Sequence, residues 1–151
     1  MPSGYATWPP TAPDTPIARF EATREKMKAI LPTADVVGYR DLIPGLSLPD
    51  PDDRHVLAAA IAGKASVIVT WNLKDFPAAA LKPHGVAGIS PDDFIVGLQS
   101  TRPDALFSSL QRARQNLRHT TPSVREFLDA LERQGLTAFS AGLRQEAEHL
   151  P

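Results

Sequence analysis

Residues 51–70 constrain the fold more than any other stretch. Pro51 to Ala62 has helical spacing, with Val56, Leu57, Ala60 and Ile61 on one stripe, and Gly63 stops it. Ala65 to Thr70 (ASVIVT) then follows, β-branched and without a charge. A strand lacking a polar face must be covered on both sides, as in a parallel sheet with helices packed against it. The unit therefore predicts an α/β layer.

The flanks extend that alternation. Asp14-Thr15-Pro16 is a helix start, a capping side chain followed by proline. Ile17, Phe20, Met27, Ile30 and Leu31 fall roughly on one helical face that ends at Pro32. A short strand is expected at Val36-Val37, then a loop through Pro44-Gly45. After ASVIVT come a turn, a short helix near Ala78 to Lys82 and a strand near Val86 to Ile89. Ser90-Pro91-Asp92-Asp93 opens a further helix by capping. From Arg102 onward the pattern is helical: Pro103 to Arg118, Pro122 to Gln134 and Leu136 to His149. The expected organisation is a proline-rich irregular tail over 1–16, an α/β part over 17–100 and a helical C-terminal extension over 101–151.

Composition narrows the chemistry. The 151 residues are 42% hydrophobic, enough for a core, and include no cysteine. A disulfide scaffold, a thiolate zinc site and a cysteine nucleophile are excluded. The net charge of −1 gives no global argument for nucleic acid, so such a contact needs a local patch. No apolar run approaches the roughly 18–20 residues of a membrane span, and the N-terminus lacks a signal-peptide pattern. A cytoplasmic protein without membrane contact is the expectation.

Acidic residues bracket the helix–strand unit. Asp50, Asp52 and Asp53 precede the helix, and Asn72 and Asp75 follow the strand. One reading is local. Asp50 caps the helix, all three acids favour its positive end, and Asn72 and Asp75 close an Asx-type turn. The other reading is a shared site. Helical geometry puts Asp53 in the middle of the apolar stripe and Asp52 roughly 110° away. An inward carboxylate needs a partner: Arg54, His55, a backbone amide or a metal. Asn72 and Asp75 lie beyond the carboxyl end of the strand, where open α/β sheets bind ligands. Hard oxygen ligands without thiolates or clustered histidines point to Mg²⁺ or Mn²⁺ rather than zinc. Such an ion can drive phosphodiester hydrolysis. Both readings stay open at this level.

"DPDDRHVLAAAI" followed by "VIVTWNLKDFP" resembles the second half of a PIN domain of the VapC-type toxin ribonucleases. "PDDFIVGL" and "LDALERQGL" resemble the C-terminal helical extension of one branch of that family. The resemblance implies a three-layer, PIN-like parallel sheet, incomplete here because no first strand precedes Ile17, followed by an α-helical extension. It implies Mg²⁺- or Mn²⁺-dependent cleavage of RNA and pairing with a cognate antitoxin, with a homodimer as a further partner state. Asp53 matches the helix-start acid, Asp75 the late acid and Asn72 the polar residue beside it. Thr70 matches the strand-end hydroxyl, and Asp50 an outer helper at the metal. The early acids of the family have no match here, so the chain reads as N-terminally shortened, with weak or no activity alone. A non-catalytic module binding an antitoxin or another PIN chain, and a gene remnant, are the alternatives. Arg112, Arg114 and Arg118 join Arg102 in a net positive segment that could track phosphates or simply form a solvated helix face.

Overall fold

The computed structural model describes residues 17–117 and 122–148. The proline-rich stretch 1–16 and Arg118 lie outside the described residues. The chain divides into two compact units, Met1–Ser66 with Lys74–Ala87 and Val67–Leu73 with Gly88–Pro151.

The first unit contains α1 (Ile17–Ile30), α2 (Arg54–Ala62) and α3 (Ala78–Leu81), joined by 3₁₀ turns. Its core is small: Leu46, Leu48, Leu57, Ala58, Ala60, Phe76, Leu81 and Val86 are buried. The stretch expected as one helix from Pro51 splits in two. Pro51–Asp53 is a 3₁₀ turn, and α2 begins only at Arg54. Gly63 is the C-cap of α2, and packing requires a glycine there. A Cβ there would sit 2.9 Å from Val36 Cγ2 and 3.1 Å from the Ala59 carbonyl oxygen, so Val36 closes down on bare backbone.

The expected strand at Val36-Val37 does not form. Both residues are irregular, and Val37 is exposed, because Gly38 turns the chain left-handed (φ 74°) before a ladder can extend. The apolar face read along α1 is also not covered by described residues. Phe20, Met27 and Ile30 are exposed, Ile30 by 83%.

The second unit holds β1 (Val67–Val69) and four helices: α4 (Pro91–Thr101), α5 (Pro103–Asn116), α6 (Val124–Arg133) and α7 (Thr137–Glu148). β1 pairs in parallel with β2 (Ala87–Ile89), and these two strands are the whole sheet among the described residues. The described residues thus form an incomplete α/β layer followed by C-terminal helices. β1 corrects the expectation of a strand buried on both faces. Ile68 is buried, but Val69, which points to the opposite face, is 43% exposed.

Capping follows the sequence closely in the helical extension. Ser90 Oγ accepts the Asp93 amide at 3.1 Å, and Ser123 with Glu126 forms a reciprocal capping box. Asp92 acts at long range. Its carboxylate accepts the amides of Ala138 (2.8 Å) and Phe139 (3.0 Å), capping the start of α7 from α4. Phe139 and Ser140 are then fully buried, and α7 packs on α4 and α6. Gly135 is required where it stands. Its φ is 92°, and a Cβ would lie 3.0 Å from the Trp71 ring. No helix among the described residues is long and apolar enough to cross a membrane.

Candidate metal centre

The entry to α2 is built from acidic residues with separate tasks. Asp50 adopts extended backbone and its Oδ1 accepts the Asp52 amide at 2.8 Å. It is the cap, in keeping with the local reading. The turn closes when the Asp53 amide donates to the Asp50 carbonyl at 3.2 Å. Two side chains then lock it from outside. Arg54 Nε donates to the Pro51 carbonyl at 2.9 Å, and His55 Nδ1 lies 2.6 Å from the Asp52 carbonyl oxygen. The Asp53 carboxylate does no capping, because it makes no hydrogen bond to the first amides of α2. Capping therefore accounts for Asp50 and leaves Asp53 unexplained.

Asp75 enters from the other end. It closes the 3₁₀ turn Leu73–Asp75, partly buried beside the buried Phe76. Asp50, Asp53 and Asp75 each place a carboxylate oxygen so that all three lie within 4.8 Å of one another. Asp53 and Asp75 are partly buried, and Asp50 and Asp52 are exposed. Among the described residues no other group of three acids or histidines converges in this way.

The donor set fits a hard divalent cation. Neighbouring oxygens of an octahedral Mg²⁺ stand about 3.0 Å apart and opposite ones about 4.2 Å, and the ion keeps waters in its remaining positions. Binding would draw the three oxygens together from their 4.8 Å limit. Electrostatics agree with the geometry. Desolvation, followed by the charges of Asp50 and Asp75, pushes the Asp53 carboxyl above its usual range.

A raised carboxyl value has a definite sign in stability. Between the ordinary value, near 3.9, and the raised one, the folded protein binds more protons than the unfolded chain. Stability therefore falls as pH rises through that window, and the full penalty persists above it. In chelator, Asp53→Asn is expected to melt higher than the parent at neutral pH. The gap should close as the pH falls below the ordinary carboxylate value. Melting curves across pH check this, and equal melting temperatures at neutral pH would contradict it.

The remaining residues expected at the site are described by their own surroundings. Thr70 and Asn72 belong to the second compact unit. There the Thr70 Oγ1 accepts the Asn72 amide at 3.0 Å, so the hydroxyl at the strand end caps the turn. Arg112 and Arg114 are exposed on α5, and Arg112 donates to Ser109 Oγ at 3.1 Å. The 3₁₀ turn and its locks at Arg54 and His55 escape a reading based on α-helical pitch. The signal was present in Asp-Pro-Asp-Asp, where proline and consecutive short acids favour a tight turn.

Residues 15–74 match the PIN domain family, and residues 91–145 match the VapC50 C-terminal domain. Over 66 residues the chain is 52% identical to a Mycobacterium tuberculosis protein named "Putative ribonuclease VapC50". That stretch is 44% of this chain and 38% of the relative, so the match spans well under half of the relative's length. No solved structure matches significantly. The two matched stretches, residues 15–74 and 91–145, make the chain similar to VapC-type PIN domain proteins that carry a helical extension.

Proposed function

We propose that the chain acts as a VapC-type ribonuclease, with Asp50, Asp53 and Asp75 holding one Mg²⁺ or Mn²⁺. The observation that carries this reading is the convergence of three carboxylate oxygens within 4.8 Å, two of them on partly buried residues. A bound divalent ion supplies Lewis acidity, offsetting negative charge on a scissile phosphate and favouring ionisation of water. The protein's own groups do the rest. Asp53 and Asp75 position the cation from two different turns, and Asp50 supports it from the exposed side. Asn72 offers both a donor and an acceptor for orienting the attacking water or a second ion. Arg112, Arg114 and Arg118 meet RNA phosphates, which gives binding a steep salt dependence.

Three carboxylates leave half of an octahedral shell to water and substrate. The cation is therefore held weakly, and cleavage by this chain alone is slow. A cognate antitoxin is the natural protein partner of such an activity. The test is cleavage of end-labelled RNA with Mn²⁺ and with chelator, for the parent and for Asp53→Ala. Slow cleavage that needs Mn²⁺ and disappears in the variant is expected. Cleavage that survives chelator, or that Asp53→Ala leaves unchanged, would overturn the reading.

A further inference from the structure

Trp71 stands between Thr70 and Asn72, in the turn that follows β1. Two hydrogen bonds hold one side of this turn. The Thr70 amide donates to the Ile89 carbonyl at 3.0 Å, and the Thr70 Oγ1 accepts the Asn72 amide at 3.0 Å. Trp71 ties the same turn to the helical extension. Its ring carbons Cη2, Cζ2 and Cζ3 lie 3.0, 3.3 and 3.4 Å from the point that a Cβ on Gly135 would occupy, so the indole rests over bare backbone. Both residues belong to the second compact unit.

The seat under the indole is closed from both sides. The Gly135 amide donates to the Glu132 carbonyl at 2.9 Å and the Leu136 amide to the Leu131 carbonyl at 3.1 Å, which ends α6 on a left-handed glycine. Asp92 holds the amides of Ala138 and Phe139 at the start of α7, and Phe139 and Ser140 are fully buried. Trp71 itself is 57% exposed, so it adds little to the core of its unit. What a flat ring on a fixed glycine supplies is direction. The backbone cannot rotate about Trp71 without lifting the ring from its seat, and the next residue, Asn72, leaves on one course.

We propose that Trp71 is a positioning residue, through which the α6–α7 corner fixes the turn that aims Asn72. The coupling rests on the geometry of this unit, and the use made of Asn72 rests on the nuclease reading.

Amide exchange followed by NMR, on the full chain in chelator, tests the coupling. In the parent the Thr70 and Asn72 amides are both hydrogen-bonded and should exchange slowly. Trp71→Ala should speed exchange at Asn72 roughly fivefold or more, the scale of one lost neutral hydrogen bond, and leave Thr70 unchanged. Trp71→Phe, which keeps a ring over Gly135, should stay close to the parent. Gly135→Asn tolerates the positive φ but brings a Cβ against the indole, and should act like Trp71→Ala. With Mn²⁺ and labelled RNA, Trp71→Ala should lower kcat severalfold at an unchanged KM, and adding it to Asn72→Ala should cost nothing more. Unchanged exchange at Asn72 in Trp71→Ala overturns the proposal. So does equal loosening of Thr70, which marks a loss of general stability, or an unchanged kcat beside faster exchange. A parent that cleaves no RNA sinks the nuclease reading instead, and the exchange comparison still decides whether Trp71 holds the turn.

Discussion

Leu57→Ala is expected to cost about 2–5 kcal/mol of folding stability. Leu57 is fully buried on α2, one turn beyond Asp53 in sequence. The core of its unit is made of a few aliphatic side chains and Phe76, so little material can collapse into the space left behind. A whole domain commonly has only about 5–15 kcal/mol in hand. The loss would show as a large drop in the urea midpoint with little change in slope. Val37→Ala, at a position 79% exposed, should stay within about 0.5 kcal/mol of the parent. A Leu57→Ala cost below about 1 kcal/mol would mean that α2 is not packed as described. The same helix carries the lock on the acidic turn through Arg54 and His55, so the variant should also bind cations less well.

Much of this was legible in the residue pattern, for identifiable reasons. The stripe Val56, Leu57, Ala60, Ile61 sets the direction of α2, and its arc passes through Asp53. That was enough to separate the partly buried Asp53 from the exposed Asp52. Helix starts were legible where the capping atoms are local, as at Ser90. The cap supplied by Asp92 to α7 was not, because donor and acceptor are 46 residues apart. Nor could the sequence say how many neighbours β1 has. The run ASVIVT specifies a strand that tolerates cover on both sides, but supplying the cover is a property of other segments. The same holds for α1. Its apolar residues were read as an inward face, and yet Met27 and Ile30 stay exposed. At Val36-Val37 two β-branched residues suggested a strand, and the left-handed turn at Gly38 removed it.

The acidic centre shows why spacing alone left two readings open. Asp50, Asp53 and Asp75 each have a respectable local use as a cap or turn residue. Only the structure divides them: Asp50 caps, while Asp53 makes no cap bond and shares its space with Asp75. Three carboxylates within 4.8 Å repel, and desolvation together with that repulsion pushes the Asp53 carboxyl above its usual range. A divalent cation relieves both. It should therefore bind the folded chain in preference to the unfolded one and raise the melting temperature in proportion to its occupancy.

That coupling makes cation binding the most direct trial of the account. Mn²⁺ titrated into chelator-treated protein, followed by calorimetry and by the paramagnetic signal of free Mn²⁺, should reveal one site per chain. Asp53→Ala should weaken it by at least about 10–100-fold, the scale on which even supporting residues act at metal sites. Asp52→Ala, the exposed neighbour outside the cluster, should leave it unchanged. A parent that takes up no Mn²⁺, or one whose affinity is the same with and without the Asp53 carboxylate, would contradict the metal centre and with it the proposed chemistry.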